Sequence, residues 1–293
     1  MNLATKYKKR FKDRPDGRRI RSLQPFNYIV PYIMKTRCSA ANQIKVSVDI
    51  TELEKYILEK RNAGLKGLGV LHVVLTAFVK TAAQMPGINR FISGQKIYAR
   101  YDIQAMMAIK KEMKLNADET VIKIHYDPSD DLETVFKKFN STLLDARKDE
   151  DNNVEGTAKI LNYIPGIFLK FAIWFLNLLD YFGLLPKKLL EISPFHGSFF
   201  ITSMGSLGIP AIFHHLYDFG NIPIFCCYGA KYTATVTKRD GEMQKKRFID
   251  FTFVLDERIC DGHYYATALK QLLEYLKHPE KLDEPVEVIE DVY

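Results

Sequence analysis

Apolar Ile44, Val46, Val48 and Ile50 alternate with polar Lys45, Ser47 and Asp49, which predicts a half-buried strand. Thr51-Glu52-Leu53-Glu54 then has the form of a capping box and predicts a helix to about Asn62. Residues 70–84 are apolar on most sides, the pattern of a buried helix, and Pro86 ends it. Ile92-Ser93-Gly94-Gln95-Lys96-Ile97 predicts a hairpin, followed by strands over 105–109 and 120–126 and an amphipathic helix from Asp130 to about Arg147. Residues 148–157 read as a polar linker. The second half predicts a strand ending at Ser203, a glycine turn at Gly205 and Gly208, a strand through 222–236, and a hairpin at Asp240-Gly241. A partner strand over 248–255 and a last helix over 263–277 complete it. Strands and helices mix without regular βαβ alternation, so the pattern predicts an α+β fold, a sheet layered with helices.

One stretch stands apart. In residues 165–186, Phe168, Phe171, Phe175, Leu178 and Phe182 recur at spacings of three and four, while Lys170, Asn177 and Asp180 form a narrow polar edge. The longest uncharged run, Phe171 to Leu179, is nine residues, short of the ~20 that a spanning helix needs. Two readings stay open: a helix packed on the body or on a neighbouring subunit, and a surface helix that docks on a membrane or an acyl-carrier protein.

Charge sharpens the layout. The 293 residues carry 42 Lys+Arg and 35 Asp+Glu, a net +7. Residues 1–21 hold nine basic and two acidic side chains, which is +7, so the remainder is neutral. The charge therefore belongs to a basic N-terminal arm, residues 1–25, read as a solvated tail or a first helix that packs on a neighbour. A nucleic-acid partner is disfavoured, because the fold itself has no net charge to supply a binding face. Residues 26–280 form a single predicted domain, with an apolar helical insertion at about 160–190, and residues 281–293 an acidic tail. Four cysteines without framework spacing imply reduced thiols. The N-terminus is charged where a signal peptide is apolar, so a cytoplasmic protein is expected, peripheral at the membrane if the arm and residues 165–186 dock there. No metal-ligand spacing, P-loop or G-x-G-x-x-G is present.

The string Asp256-Glu257-Arg258-Ile259-Cys260-Asp261-Gly262 resembles the D-H-R-x-x-D-G signature of the dihydrolipoyl acyltransferases and the H-x-x-x-D-G of chloramphenicol acetyltransferase. Phe199-Phe200-Ile201-Thr202-Ser203-Met204-Gly205 resembles that family's strand-to-turn with a functional serine. The resemblance spans roughly residues 25–280, with 150–195 poorly matched. It implies a chloramphenicol acetyltransferase-like mixed sheet with flanking helices, and a homotrimer with channels between subunits. It also implies acyl transfer from a coenzyme A thioester to a small-molecule acceptor, without a metal. Ser203 would stabilise the oxyanion, Asp261 would hold the turn through an ion pair, and Gly262 would permit its tight backbone.

The family's histidine is replaced by Glu257. A glutamate's ordinary pKa is about two units below that of histidine, so it serves as a base at neutral pH only if burial raises it. Three readings follow: Glu257 is the base, His214 or His215 takes that part, or the chain is a non-catalytic pseudoenzyme that acts in binding or assembly.

Overall fold

The predicted first strand forms as β2 (Ala41–Asp49) and leads directly into helix α2 (Thr51–Asn62). The capping differs from the sequence pattern. The helix begins after Ile50, and Asp49 Oδ1 accepts from the Thr51 backbone N–H at 3.0 Å and from its hydroxyl at 2.6 Å. The cap is supplied from the strand end rather than by Thr51. The computed structural model describes residues 10–110, 119–148, 164–238 and 240–291. The predicted linker at 148–157 lies outside the described residues, apart from Lys148.

Chain order continues with helix α3 (Val70–Gln84), the hairpin β3 (Arg90–Ser93) and β4 (Lys96–Arg100), then β5 (Ile103–Lys110), β6 (Glu119–Tyr126) and helix α4 (Leu132–Lys148). Helices α5 (Gly166–Phe182) and α6 (Lys187–Ile192) precede β7 (Phe199–Ser203), β8 (Ile224–Tyr228), β9 (Tyr232–Thr237), β10 (Met243–Asp256) and helix α7 (Gly262–Lys277). Upstream lie a short strand β1 (Gly17–Arg19) and helix α1 (Pro25–Ile33). The expected single strand over 222–236 is two, β8 and β9. Between them Gly229 lies so close to the 210–211 backbone that a Cβ would come within 2.4 Å of the Ala211 nitrogen.

The main sheet has the order β2-β10-β8-β7-β5-β6, with β9 also paired to β10. β7 runs parallel to both β5 and β8 and the other pairings are antiparallel, so this is a mixed sheet in an α+β fold. Its larger face buries Phe199, Ile224, Phe251 and Phe253 against Val74 and Phe78 of α3 and Leu272 of α7. The other face carries a smaller cluster, Met106, Phe200, Phe225 and Val254, which Leu216 and Ile222 cover from the irregular segment after β7. Cys226 and Cys227 fall on opposite faces, as neighbours in a strand do, and all four thiols are free.

One terminal expectation is corrected. The described part of the basic arm is not a solvated tail. β1 pairs antiparallel with β4, and Arg14 is only 2% exposed. The Arg14 guanidinium bonds Asp16 Oδ1 at 2.8 Å, Ser93 Oγ at 2.7 Å and Asp180 Oδ1 at 2.7 Å. The acidic tail is latched as well: the Arg90 fork grips both Asp291 carboxylate oxygens, at 2.7 and 2.5 Å. Arg18 of the arm donates to the Asp291 carbonyl, so the two oppositely charged termini meet.

Helix α5 forms where expected, and within the chain it takes the surface orientation of the two that the sequence left open. The aromatic stripe points to solvent, with Phe168 64%, Phe171 61% and Phe182 64% exposed, and Asp180 is its buried residue. Periodicity marks a face without saying which side it takes. The side was decided by Asp180, whose carboxylate must sit beside the Arg14 cation. Gly94 permits the contact: with φ +53°, any side chain there would come within 2.1 Å of the Tyr181 carbonyl oxygen. Among the described residues no helix is long and apolar enough to cross a membrane.

Candidate functional site

The Asp256–Gly262 string leaves β10 and enters α7. Asp256 and Arg258 are buried together in a two-point ion pair, Nε to Oδ1 and Nη2 to Oδ2, each 2.7 Å. Such a fork matches a carboxylate's geometry and is strong when desolvated. Arg37 stands 3.8 Å from Asp256 and donates to the carbonyls of Tyr217 and Gly220, at 2.7 and 2.5 Å. Burial pulls the Arg37 guanidinium below its ordinary pKa, against the opposing charge of Asp256. The string is thereby tied to the 217–220 segment.

Glu257 lies between these two buried charges in sequence but is half-buried itself. Its Oε2 accepts from Asn42 Nδ2 at 2.7 Å, and its backbone N–H donates to the Ala40 carbonyl at 2.9 Å. Asp261 differs from expectation. It is the N-cap of α7, accepting from the Tyr264 N–H at 2.9 Å, and the ion pair of the string is Asp256 with Arg258. Gly262 is the first residue of α7.

Ser203 ends β7 opposite Tyr228 of β8, immediately before a short turn at Gly205–Leu207. Burial raises the Tyr228 phenol to about 12, against a lowering contribution from the Ser203 hydroxyl. The segment after the turn crosses the sheet: the Ile209 carbonyl accepts from Ala230 N–H at 2.9 Å and the Ile212 carbonyl from the Thr252 hydroxyl at 2.6 Å. His214 stacks on Phe225, ring centroids 4.3 Å apart and planes 12° apart. Its Nε2 is buried without a hydrogen-bond partner, and burial, then the neighbouring His215, pushes its pKa down. His215 is exposed. Asp218, spaced as a partner for His214, instead accepts from the Cys38 N–H at 3.0 Å.

Register gives the distances between candidates. Ser203 pairs with Tyr228, which pairs with Phe251 on β10. Glu257 lies six positions further along, so the two stand roughly 20 Å apart along the sheet. His214, over Phe225, lies between them. Among the described residues no hydrogen bond or ion pair joins any two of Ser203, His214, His215, Glu257 and Asp261.

Sequence reading missed a buried polar cluster. Arg14, Asp16, Asp180, Arg100, Asn221 and His196 gather beneath α5: Asn221 donates to Asp16 at 2.9 Å, and Arg100 to Asn221 at 2.9 Å. His196 Nε2 lies 3.4 Å from Asp180, and its Nδ1 shares a 2.7 Å hydrogen bond with Ser193. Burial resists ionising Asp180, but Arg14 and His196 hold its carboxyl well below the ordinary range. The one available signal was Asp180 itself, a lone acid in an apolar run. Beside this cluster a cleft of about 300 Å³ opens, lined by Lys35, Arg37, Ser93, Asn177, Tyr181 and Arg258 among others. Among the described residues no group of three His, Cys, Asp or Glu side chains is placed to hold a metal ion.

No protein-family model and no curated protein sequence matches the chain. Solved structures do. A probable dihydrolipoamide acetyltransferase from Listeria monocytogenes 4b F2365 is 15% identical, with TM-score 0.57 over 93% of this chain and 99% of that one. The cubic core of a pyruvate dehydrogenase multienzyme complex is 16% identical, TM-score 0.58, over 88% of each chain. A truncated catalytic core of the 2-oxoacid dehydrogenase multienzyme complex from Thermoplasma acidophilum is 13% identical, TM-score 0.53, over 89% of this chain and 98% of that one. The fold is therefore that of the acyltransferase catalytic cores, a mixed sheet flanked by helices in one domain.

Proposed function

We propose that this chain is an acyltransferase that acts as a homotrimer and moves an acyl group from a coenzyme A thioester to a small acceptor. The observation that carries this reading is the placement of Ser203 and Glu257 at opposite ends of one sheet within an acyltransferase fold. Residues so far apart in one chain meet only if a second copy brings its Glu257 end to the Ser203 end of the first. Exposed Leu207, Ile209, Ile212 and Phe213, in the segment that follows Ser203, give such a junction apolar surface to bury. At the other end, beside Arg37 and Arg258, the cleft falls in the size range of small-molecule sites.

The reaction conserves groups simply. The acceptor's thiol, hydroxyl or amine attacks the thioester carbonyl as Glu257 takes its proton. The Ser203 hydroxyl stabilises the oxyanion, the carbon–sulfur bond breaks, and the proton passes to the coenzyme A thiolate.

A specific observation favours a second reading. Glu257 is already engaged by Asn42 and flanked by a self-satisfied ion pair, as suits a position that keeps the fold without chemistry, in a pseudoenzyme for binding or assembly.

Release of free thiol from acetyl- and longer acyl-coenzyme A, with a panel of acceptors, separates them. Turnover is expected, falling roughly 10²–10³-fold in Ser203→Ala and also falling in Glu257→Gln. Failure of every acyl-coenzyme A to bind or turn over overturns the enzyme reading. Full activity of Glu257→Gln transfers the base to His214 or His215.

A further inference from the structure

Helix α5 presents more bare aromatic surface than any stability argument requires. Phe171 stacks with Phe175, ring centroids 6.4 Å apart, and sits 5.5 Å from Trp174; all three are exposed, Trp174 at 55%. Within α5 and α6 the carboxylates are Asp180, buried against Arg14, and Glu191, paired with His125, while Lys170, Lys187 and Lys188 are exposed.

The arm adds to this. Arg14's bonds to Asp180 anchor the arm at the C-terminal end of α5. The Lys96 ammonium sits 5.9 Å from the Tyr181 ring centroid. Burial, then the nearby charges of Arg19 and Lys12, push Lys96 below its ordinary pKa. Lys12 itself lies 5.4 Å from the ring of Phe11, a residue 85% exposed. Lys96 thus lies against the aromatic helix with further cations of the arm nearby, so a surface anion would meet positive charge beside that face.

We propose that α5 and the adjoining Lys12, Arg19 and Lys96 form a docking surface for an anionic lipid bilayer. The aromatic side of the helix lies in the plane of the interface, about 5–10 Å into the headgroup boundary, and the cations meet lipid phosphates. Charge complementarity selects this occupant over a second copy, whose own α5 would bring the same cations.

Trp174 is the sole tryptophan of the chain, so its emission reports on this face directly. Full-length protein is mixed with vesicles of phosphatidylcholine, with or without phosphatidylglycerol, and floated on a density gradient. The expected result is a blue shift and flotation with the phosphatidylglycerol vesicles only, reversed by high salt. Lys12→Glu/Lys96→Glu should weaken partitioning roughly tenfold or more. Phe168→Ser/Phe171→Ser should abolish the shift while the far-ultraviolet dichroism stays unchanged. Unshifted Trp174 emission with protein left at the bottom of the gradient overturns the proposal. So does emission already blue-shifted without vesicles that follows a concentration-dependent oligomer, which would assign the face to a second copy. Loss of acyltransferase activity has no bearing on either readout.

Discussion

The two ends of the central sheet are built on different physics. At the Glu257 end, Asp256, Arg258 and Arg37 form a desolvated charge network, and Asn42 on the neighbouring strand fixes the Glu257 carboxylate. At the Ser203 end the turn is held by backbone bonds, Met204 N–H to the Tyr228 carbonyl among them, and Ser203 brings only a neutral hydroxyl, beside the Tyr228 phenol. The braced end is fixed by side-chain charges, so its geometry depends on which residues are present. The open end is fixed by the path of the chain, so its hydroxyl can change partner without disturbing the sheet. A junction between two copies would press a rigid end onto an adaptable one.

Three substitutions test that contrast, in descending effect. Arg258→Ala leaves Asp256 buried without its fork partner and should cost about 3–5 kcal/mol of unfolding free energy in urea titration. Asp261→Ala removes the α7 cap alone and should cost about 1 kcal/mol. Ser203→Ala should shift stability by less than about 0.5 kcal/mol while lowering turnover. If Ser203→Ala proves as destabilising as Arg258→Ala, the two ends are braced alike and the contrast fails.

The alternation over residues 44–50 and the apolar run over 70–84 were legible because both report local periodicity, which a strand and a buried helix each express directly. The string Asp256–Gly262 was legible as a motif, yet Asp261's part in it was not. An N-cap and an ion pair both ask for an aspartate, and only the position of the Tyr264 N–H separates them. The stripe of α5 was legible as a face but its direction was left open, because its orientation follows from Arg14, which lies far outside any helical window. Asn42 could not have been chosen from sequence, since its bond to Glu257 depends on the β2–β10 register.

The bonds of Arg14 and Arg18 also set an order of events. Arg14 reaches Asp180, 166 residues on, and Arg18 reaches Asp291, 273 residues on. The arm therefore waits for partners that are synthesised well after it. The entropy of closing such long loops is repaid only once the intervening sheet exists to hold both ends. The arm closes this structure rather than starting it.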